Sequence, residues 1–290
     1  MATGATGPVA RPEWRMPGVE DAMPHATAPE RKIPIVSLAS TKGGVGKTTL
    51  AYVLATEVAR RLAMSPSPGR STPAWRGRVT CIDADPNRTL AQVLRLTEDL
   101  RITCFESDSD RLLADLRHAQ AESDLVVIDL EGTANQAMLY AAGKSDLVLV
   151  PAQPSRFDVV EAVKTVGVVR RAADLVEREI AHRVVLSRTP VLRQRVADHS
   201  RAQFVRAGLP LLPVELVQRA AFQSMTYTGK PPWLQDGGEQ AAANVASLVD
   251  AILDIVGLCI PAATIEADTE VAAALARGPN SQLQGVQTVA

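Results

Sequence analysis

Residues 41–49 read Thr-Lys-Gly-Gly-Val-Gly-Lys-Thr-Thr, and the apolar run Ile33–Ala39 leads straight into them. A β-branched strand that turns through three glycines into a lysine and two threonines has few structural uses. Gly43, Gly44 and Gly46 let the backbone come close to an anion and aim its N–H groups inward. A helical pattern starts at Thr48 and runs to Met64, so the positive end of a helix dipole faces the same point. Lys47 is then placed to reach the β- and γ-phosphates of a nucleotide, and the Thr48 hydroxyl to bind magnesium, with Val45 and Thr49 completing the loop. The strict phosphate-loop pattern wants glycine at position 41, where this chain has Thr41.

A strand–loop–helix of this kind belongs in an α/β fold, and the rest of the chain agrees. Val79–Asp83, Leu125–Leu130, Leu147–Pro151 and Arg183–Ser187 read as short strands. Phe157–Val176, Ser200–Ala207 and Val245–Val256 read as helices, the last with Val245, Leu248, Val249, Ile252 and Val256 on one face. The strands are continuous apolar runs, which suits a mostly parallel twisted sheet with helices on both faces. Residues 1–32 hold five prolines among alanine and glycine and read as a flexible leader. Residues 33–260 form the nucleotide-binding domain, and 261–290 a short helix with a frayed tail. Residues 65–78 carry Pro66, Pro68 and Pro73 between the first helix and the second strand. Such connections are usually short, so the segment reads as a solvated insertion or, with Arg70, Trp75, Arg76 and Arg78, as a docking loop.

Two further segments supply the acids that phosphate chemistry needs. Cys81-Ile82-Asp83-Ala84-Asp85-Pro86-Asn87 places two carboxylates where a strand ends. Asp124-Leu125-Val126-Val127-Ile128-Asp129 is an apolar strand ending in Asp129, the usual position of the magnesium-side acid.

Together these motifs resemble the ParA/MinD family of deviant Walker A P-loop ATPases, and among them the small ParA-like DNA-segregation ATPases. Lys42 and Lys47 in Lys-Gly-Gly-Val-Gly-Lys-Thr-Thr resemble that family's paired lysines, and Asp83-Ala84-Asp85-Pro86-Asn87 its second motif. Pro151-Ala152-Gln153-Pro154-Ser155 with Asp158, Gly208-Leu209-Pro210 through Arg219-Ala220, and Gly229-Lys230 are also similar. The resemblance covers roughly residues 33–257. It implies an ATP-sandwiched homodimer in which Lys42 touches the partner's nucleotide. It implies that Asp85 positions the attacking water, that Asp83 assists near magnesium, and that Asp129 holds magnesium through water. ATP and Mg2+ are the implied cofactors. Two positions depart from the family: Asp129-Leu130-Glu131-Gly132 replaces an Asp-x-Pro segment, and Ser187-Arg188 stands where Asn-Arg often reads adenine. Ser187 and Arg188 remain the candidates for the base end of the site.

Charge and composition narrow the role. Cys81, Cys104 and Cys259 are far apart and form no C-x-x-C pair, so cluster-carrying relatives are excluded and reduced thiols in a cytoplasmic protein are expected. The last nine residues hold no Lys or Arg, so a basic membrane-binding helix is not expected. The 32-residue leader is too short for a separate DNA-reading domain. The net charge is -1, yet residues 170–219 hold ten arginines against five acids. Such a surplus predicts salt-sensitive, sequence-blind contact with double-stranded DNA, with Arg193, Arg195, Arg201 and Arg206 as candidates. The expected protein is a nucleoid-associated ATPase that segregates or positions a plasmid or chromosome with a separate site-specific, ParB-like partner. Positioning of another cargo, such as a conjugative DNA-transfer complex, and a non-hydrolysing nucleotide-switched scaffold are the alternatives.

Overall fold

The computed structural model describes residues 32–64, 76–97, 100–192 and 195–260. The leader, nearly all of the 65–78 insertion and the 261–290 tail lie outside the described residues. Strand β1 (Ile35–Leu38) runs through the glycine loop into α1 (Lys47–Met64). There follow β2 (Val79–Ala84), α2 (Thr89–Arg95), β3 (Ile102–Glu106), α3 (Leu112–Glu122), β4 (Leu125–Leu130), α4 (Gln136–Lys144) and β5 (Leu147–Ala152). The chain continues as α5 (Arg156–Leu175), β6 (Ala181–Thr189), α6 (Arg195–Arg206), β7 (Leu216–Val217), α7 (Ala220–Thr228) and α8 (Glu239–Val256).

The seven strands form one sheet in the order β3-β2-β4-β1-β5-β6-β7, and every pairing is parallel. The unbroken apolar runs are explained by burial on both faces. In β4, Leu125 and Val127 pack with α1 and α8, whereas Val126, Ile128 and Leu130 pack with α3, α4 and α5. Helix α1 crosses the sheet and is buried even at charged positions. Glu57 accepts from Arg60 and Arg61 at 2.8 and 2.7 Å, and Arg61 continues to Asp250 of α8, so the buried charges compensate one another.

Strand order and register place the chemistry. β1 lies between β4 and β5, and Leu38 and Asp83 both sit in register with Asp129. The glycine loop, Asp83 and Asp129 therefore meet at the carboxyl edge of the sheet, where open parallel sheets bind ligands. α6 begins at Arg195, five residues ahead of the expected start, and β3 fills a position the sequence pattern did not reveal. Of the expected insertion, Arg76 and Arg78 are tied down: their backbone N–H groups donate to the Asp124 carboxylate at 3.1 and 3.2 Å.

Candidate phosphate and nucleotide site

The loop after β1 is held in shape from several sides. Gly44 and Gly46 adopt φ of +72° and +98°, which a side chain at either position would oppose. Thr41, where a glycine was expected, fastens the loop to α5. Its N–H donates to the Thr165 hydroxyl at 3.0 Å, and its own hydroxyl donates to Glu161 at 2.8 Å. From below, the loop rests on Gly132, where an added Cβ would lie 3.0 Å from the Gly43 nitrogen. That contact explains why glycine follows Glu131, and no residue-level signal revealed it. Gly132→Ala is expected to push the loop out of shape and weaken nucleotide affinity by about tenfold or more, a cost of roughly 1.4 kcal/mol. Titration with a labelled nucleotide checks this, and unchanged affinity would show that the loop can move away.

Lys47 lies at the loop's end and is only 7% exposed. Burial lowers its pKa, opposed by the charges of Asp129, Asp85 and Glu131. The charges of three carboxylates from two strand ends thus act on one lysine. Asp129 is 1% exposed, and burial pushes its pKa up to about 7, with the Thr48 hydrogen bond opposing the rise. The Thr48 hydroxyl donates to Asp129 Oδ2 at 2.7 Å, while the buried Oδ1 has no partner among the described residues. A hydroxyl beside a buried carboxylate oxygen with an unused lone pair is a donor set that suits a hard cation such as magnesium. Among the described residues, no group of three or more His, Cys, Asp or Glu could hold a metal. A magnesium here would depend on a nucleotide's own oxygens, as is usual for that ion.

Asp83 lies near the end of β2, in register with Asp129. It is fully buried, and its two oxygens accept the backbone N–H groups of Asp85 at 3.1 Å and Ala91 at 2.9 Å. Its carboxylate ties the turn after β2 to the first turn of α2, and burial raises its pKa. Asp85 is half-buried and aims its Oδ1 at the Asn87 N–H at 2.8 Å and side-chain amide at 2.9 Å. Lys42 extends from the loop to Asp158 at 2.8 Å, with over a third of its side chain still exposed. Glu131 accepts from Asn135, the residue that caps α4.

Beside the loop a cavity of about 160 Å³ opens between Gly46 and Thr49, the end of β6 at Ser187 and Arg188, and residues 216–223. Ser187 and Arg188 are thus brought to the loop. The Ser187 hydroxyl, however, donates to the Val45 carbonyl at 2.6 Å, which buttresses the loop. Arg188 stands at an irregularity in the β6–β7 pairing with φ +51°, a conformation that few non-glycine residues adopt.

The arginine-rich segment divides. Arg201 is held by Glu215 and by Asp198 at 2.8 Å, so it is a structural clamp rather than a free surface cation. Arg178 donates to the carbonyls of Gly143 and Ser145 near the end of α4. Arg195 and Arg206 are exposed, and their side chains make no hydrogen bond or ion pair among the described residues. Arg193 lies outside the described residues. Among the described residues no helix is long and apolar enough to cross a membrane.

The profile of the family described as VirC1 protein matches residues 33–232. A curated relative, Protein ParA of Rhizobium radiobacter, is 28% identical over 201 residues, which cover 68% of this chain and 84% of that protein. The ATP complex of a McdA variant from Cyanothece shares the fold with a TM-score of 0.61 at 15% identity, covering 79% of this chain and 98% of that one. MinD of Pyrococcus horikoshii, complexed with Mg-ADP, gives a TM-score of 0.58 at 16% identity over 78% of this chain and 98% of that one.

Proposed function

Since the chain belongs to the VirC1 family and is a P-loop ATPase of the ParA/MinD type, we propose that it hydrolyses ATP as a sandwich dimer and, while ATP-bound, holds double-stranded DNA without sequence preference. Its role in this reading is the partition or positioning of a plasmid or chromosome, together with a separate site-specific DNA-binding partner. The observation that carries the reading is the buried Lys47 among Asp85, Asp129 and Glu131, with an unused Asp129 oxygen beside the Thr48 hydroxyl.

In this assignment the N–H groups of Gly43–Thr49 cradle the phosphates, and Lys47 meets the β- and γ-phosphoryl oxygens. Thr48 and Asp129 would hold magnesium, which would supply positive charge against the phosphates. Asp85 orients the attacking water, and its contact with the Asn87 turn fixes the direction in which its carboxylate points. Lys42 leaves Asp158 and meets the nucleotide of a second copy. Its partial exposure supports this, and the buried Asp158 keeps the hydrogen bonds of Gln153 and Ser155 when the lysine leaves. Phosphoryl transfer is mostly positioning and charge neutralisation, so a cation supplied from the partner makes hydrolysis depend on dimerisation.

Arg195 and Arg206 carry the DNA part of the reading. They are eleven residues apart on α6, hence on one stripe and separated by about 16 Å along the axis. Two such contacts on one chain are weak at physiological salt, and a dimer doubles them. Changing both to glutamate is expected to weaken binding to all DNA sequences alike by about tenfold or more and to flatten the salt dependence, with basal ATPase retained. Binding is measured with ATP, ADP and no nucleotide at two salt concentrations. Equal binding in all three states, or none in any, removes the DNA contact from the account.

A further inference from the structure

Little packing holds the turn that carries Asp85: Pro86 and Asn87 are exposed and Asp85 itself is half-buried. Hydrogen bonds hold it instead. The Asp85 N–H donates to the Asp83 carboxylate at 3.1 Å, and the Asp85 carbonyl accepts the Arg88 N–H at 2.9 Å. The Arg88 guanidinium then reaches back and donates to two carbonyls, those of Asp83 in β2 and of Ser107 just after β3. One residue thus grips the segment at both ends and ties it to the neighbouring strand. Arg88 does so at φ +53°, in the left-handed region that side chains oppose. Such a conformation persists only where its surroundings fix it, and it gathers at sites whose geometry matters.

We propose that Arg88 is a positioning residue for hydrolysis: its guanidinium, bridging the Asp83 and Ser107 carbonyls, sets through the backbone the direction in which the Asp85 carboxylate points. The inference rests on the water-orienting role given to Asp85. The guanidinium also acts on the turn through charge. Burial raises the Asp83 pKa, and the Ala91 and Asp85 N–H groups and the charge of Arg88 oppose the rise. An ionised Asp83 accepts those two N–H groups more strongly than a protonated one. Removing Arg88 therefore loosens both grips on Asp85. A displacement of about 1 Å near the reacting atoms can cost on the order of a hundredfold in rate. The phosphate loop is a separate element, anchored by Thr41, Gly132 and Ser187. Loosening the Asp85 turn should thus reduce turnover and spare ATP binding.

The test is steady-state Mg-ATP turnover of the full chain as wild type, Arg88→Ala, Arg88→Gly and Arg88→Lys, with Asp85→Asn in parallel and thermal unfolding followed for each. Arg88→Gly removes the guanidinium but suits the left-handed backbone, so it is the variant least disturbed in its fold. Arg88→Ala and Arg88→Gly should both lose kcat by roughly 10- to 100-fold, with KM for ATP within about twofold of wild type. Arg88→Lys should keep most of the turnover, because an ammonium can still donate to both carbonyls. The proposal is overturned if Arg88→Gly turns over like wild type, since the backbone conformation alone would then count. It is also overturned if KM rises in step with the loss of kcat, or if Arg88→Lys is no better than Arg88→Ala. Normal turnover in Asp85→Asn would sink the Asp85 role and this proposal with it, whereas an inactive Asp85→Asn beside a fully active Arg88→Gly strikes Arg88 alone.

Discussion

Lys47→Ala is expected to abolish measurable nucleotide binding. The charges of Asp129, Asp85 and Glu131 all act on this lysine at the end of the loop. A bound triphosphate would add further negative charge at the same point. Without Lys47, Asp85, Asp129 and Glu131 face that charge uncompensated. A hydrogen bond to a charged group contributes about 1.5–3 kcal/mol, and the lost Coulomb attraction adds to it, so affinity should fall on the order of 100-fold or more. Calorimetric titration with Mg-ATP reads the loss. Because Lys47 is buried, thermal unfolding of the variant must be followed in parallel. A folded Lys47→Ala protein that binds ATP normally would remove the phosphate cradle from the account.

The second large effect is at Asp85, where turn-building and catalysis can be separated. Alanine would remove both the water-orienting carboxylate and the acceptor that holds Asn87. Asp85→Asn keeps an oxygen for the Asn87 N–H but cannot act as a carboxylate. Both variants are expected to bind ATP, accumulate as ATP-bound dimers, and lose turnover by about 10²–10⁴-fold, the usual contribution of a positioned base. Single-turnover hydrolysis and sedimentation with ATP read the two effects together. Normal turnover in Asp85→Asn would leave Asp85 as a turn residue only.

How much of this the sequence revealed depended on whether a function was local. The glycine loop, Asp85 and Asp129 were legible because each sits at the end of an apolar run, and parallel strands bring such ends to one edge. The central strands were legible for the same reason. β3 was not: as an edge strand it is only half-buried along its length, and Thr103 and Glu106 interrupt its apolar pattern. α6 was placed five residues late because its exposed face carries Val196 and Val205, which blur the polar–apolar periodicity. Gly132 under the loop, the Thr41–Glu161 fastening and the 216–223 wall of the cavity join residues distant in sequence, so no local pattern announces them. Arg201 shows the converse. Counting charge made it a candidate for DNA, and only the position of Glu215 reveals that its charge is spent.

The central claim is that ATP is hydrolysed by a dimer in which Lys42 of one copy completes the site of the other. Steady-state ATP turnover per chain, measured against protein concentration with magnesium in excess, tests it most directly. The account predicts turnover per chain that rises with concentration to a plateau in wild type and stays near baseline throughout in Lys42→Ala. Turnover per chain that is independent of concentration, or a Lys42→Ala curve that overlays the wild type, would contradict it.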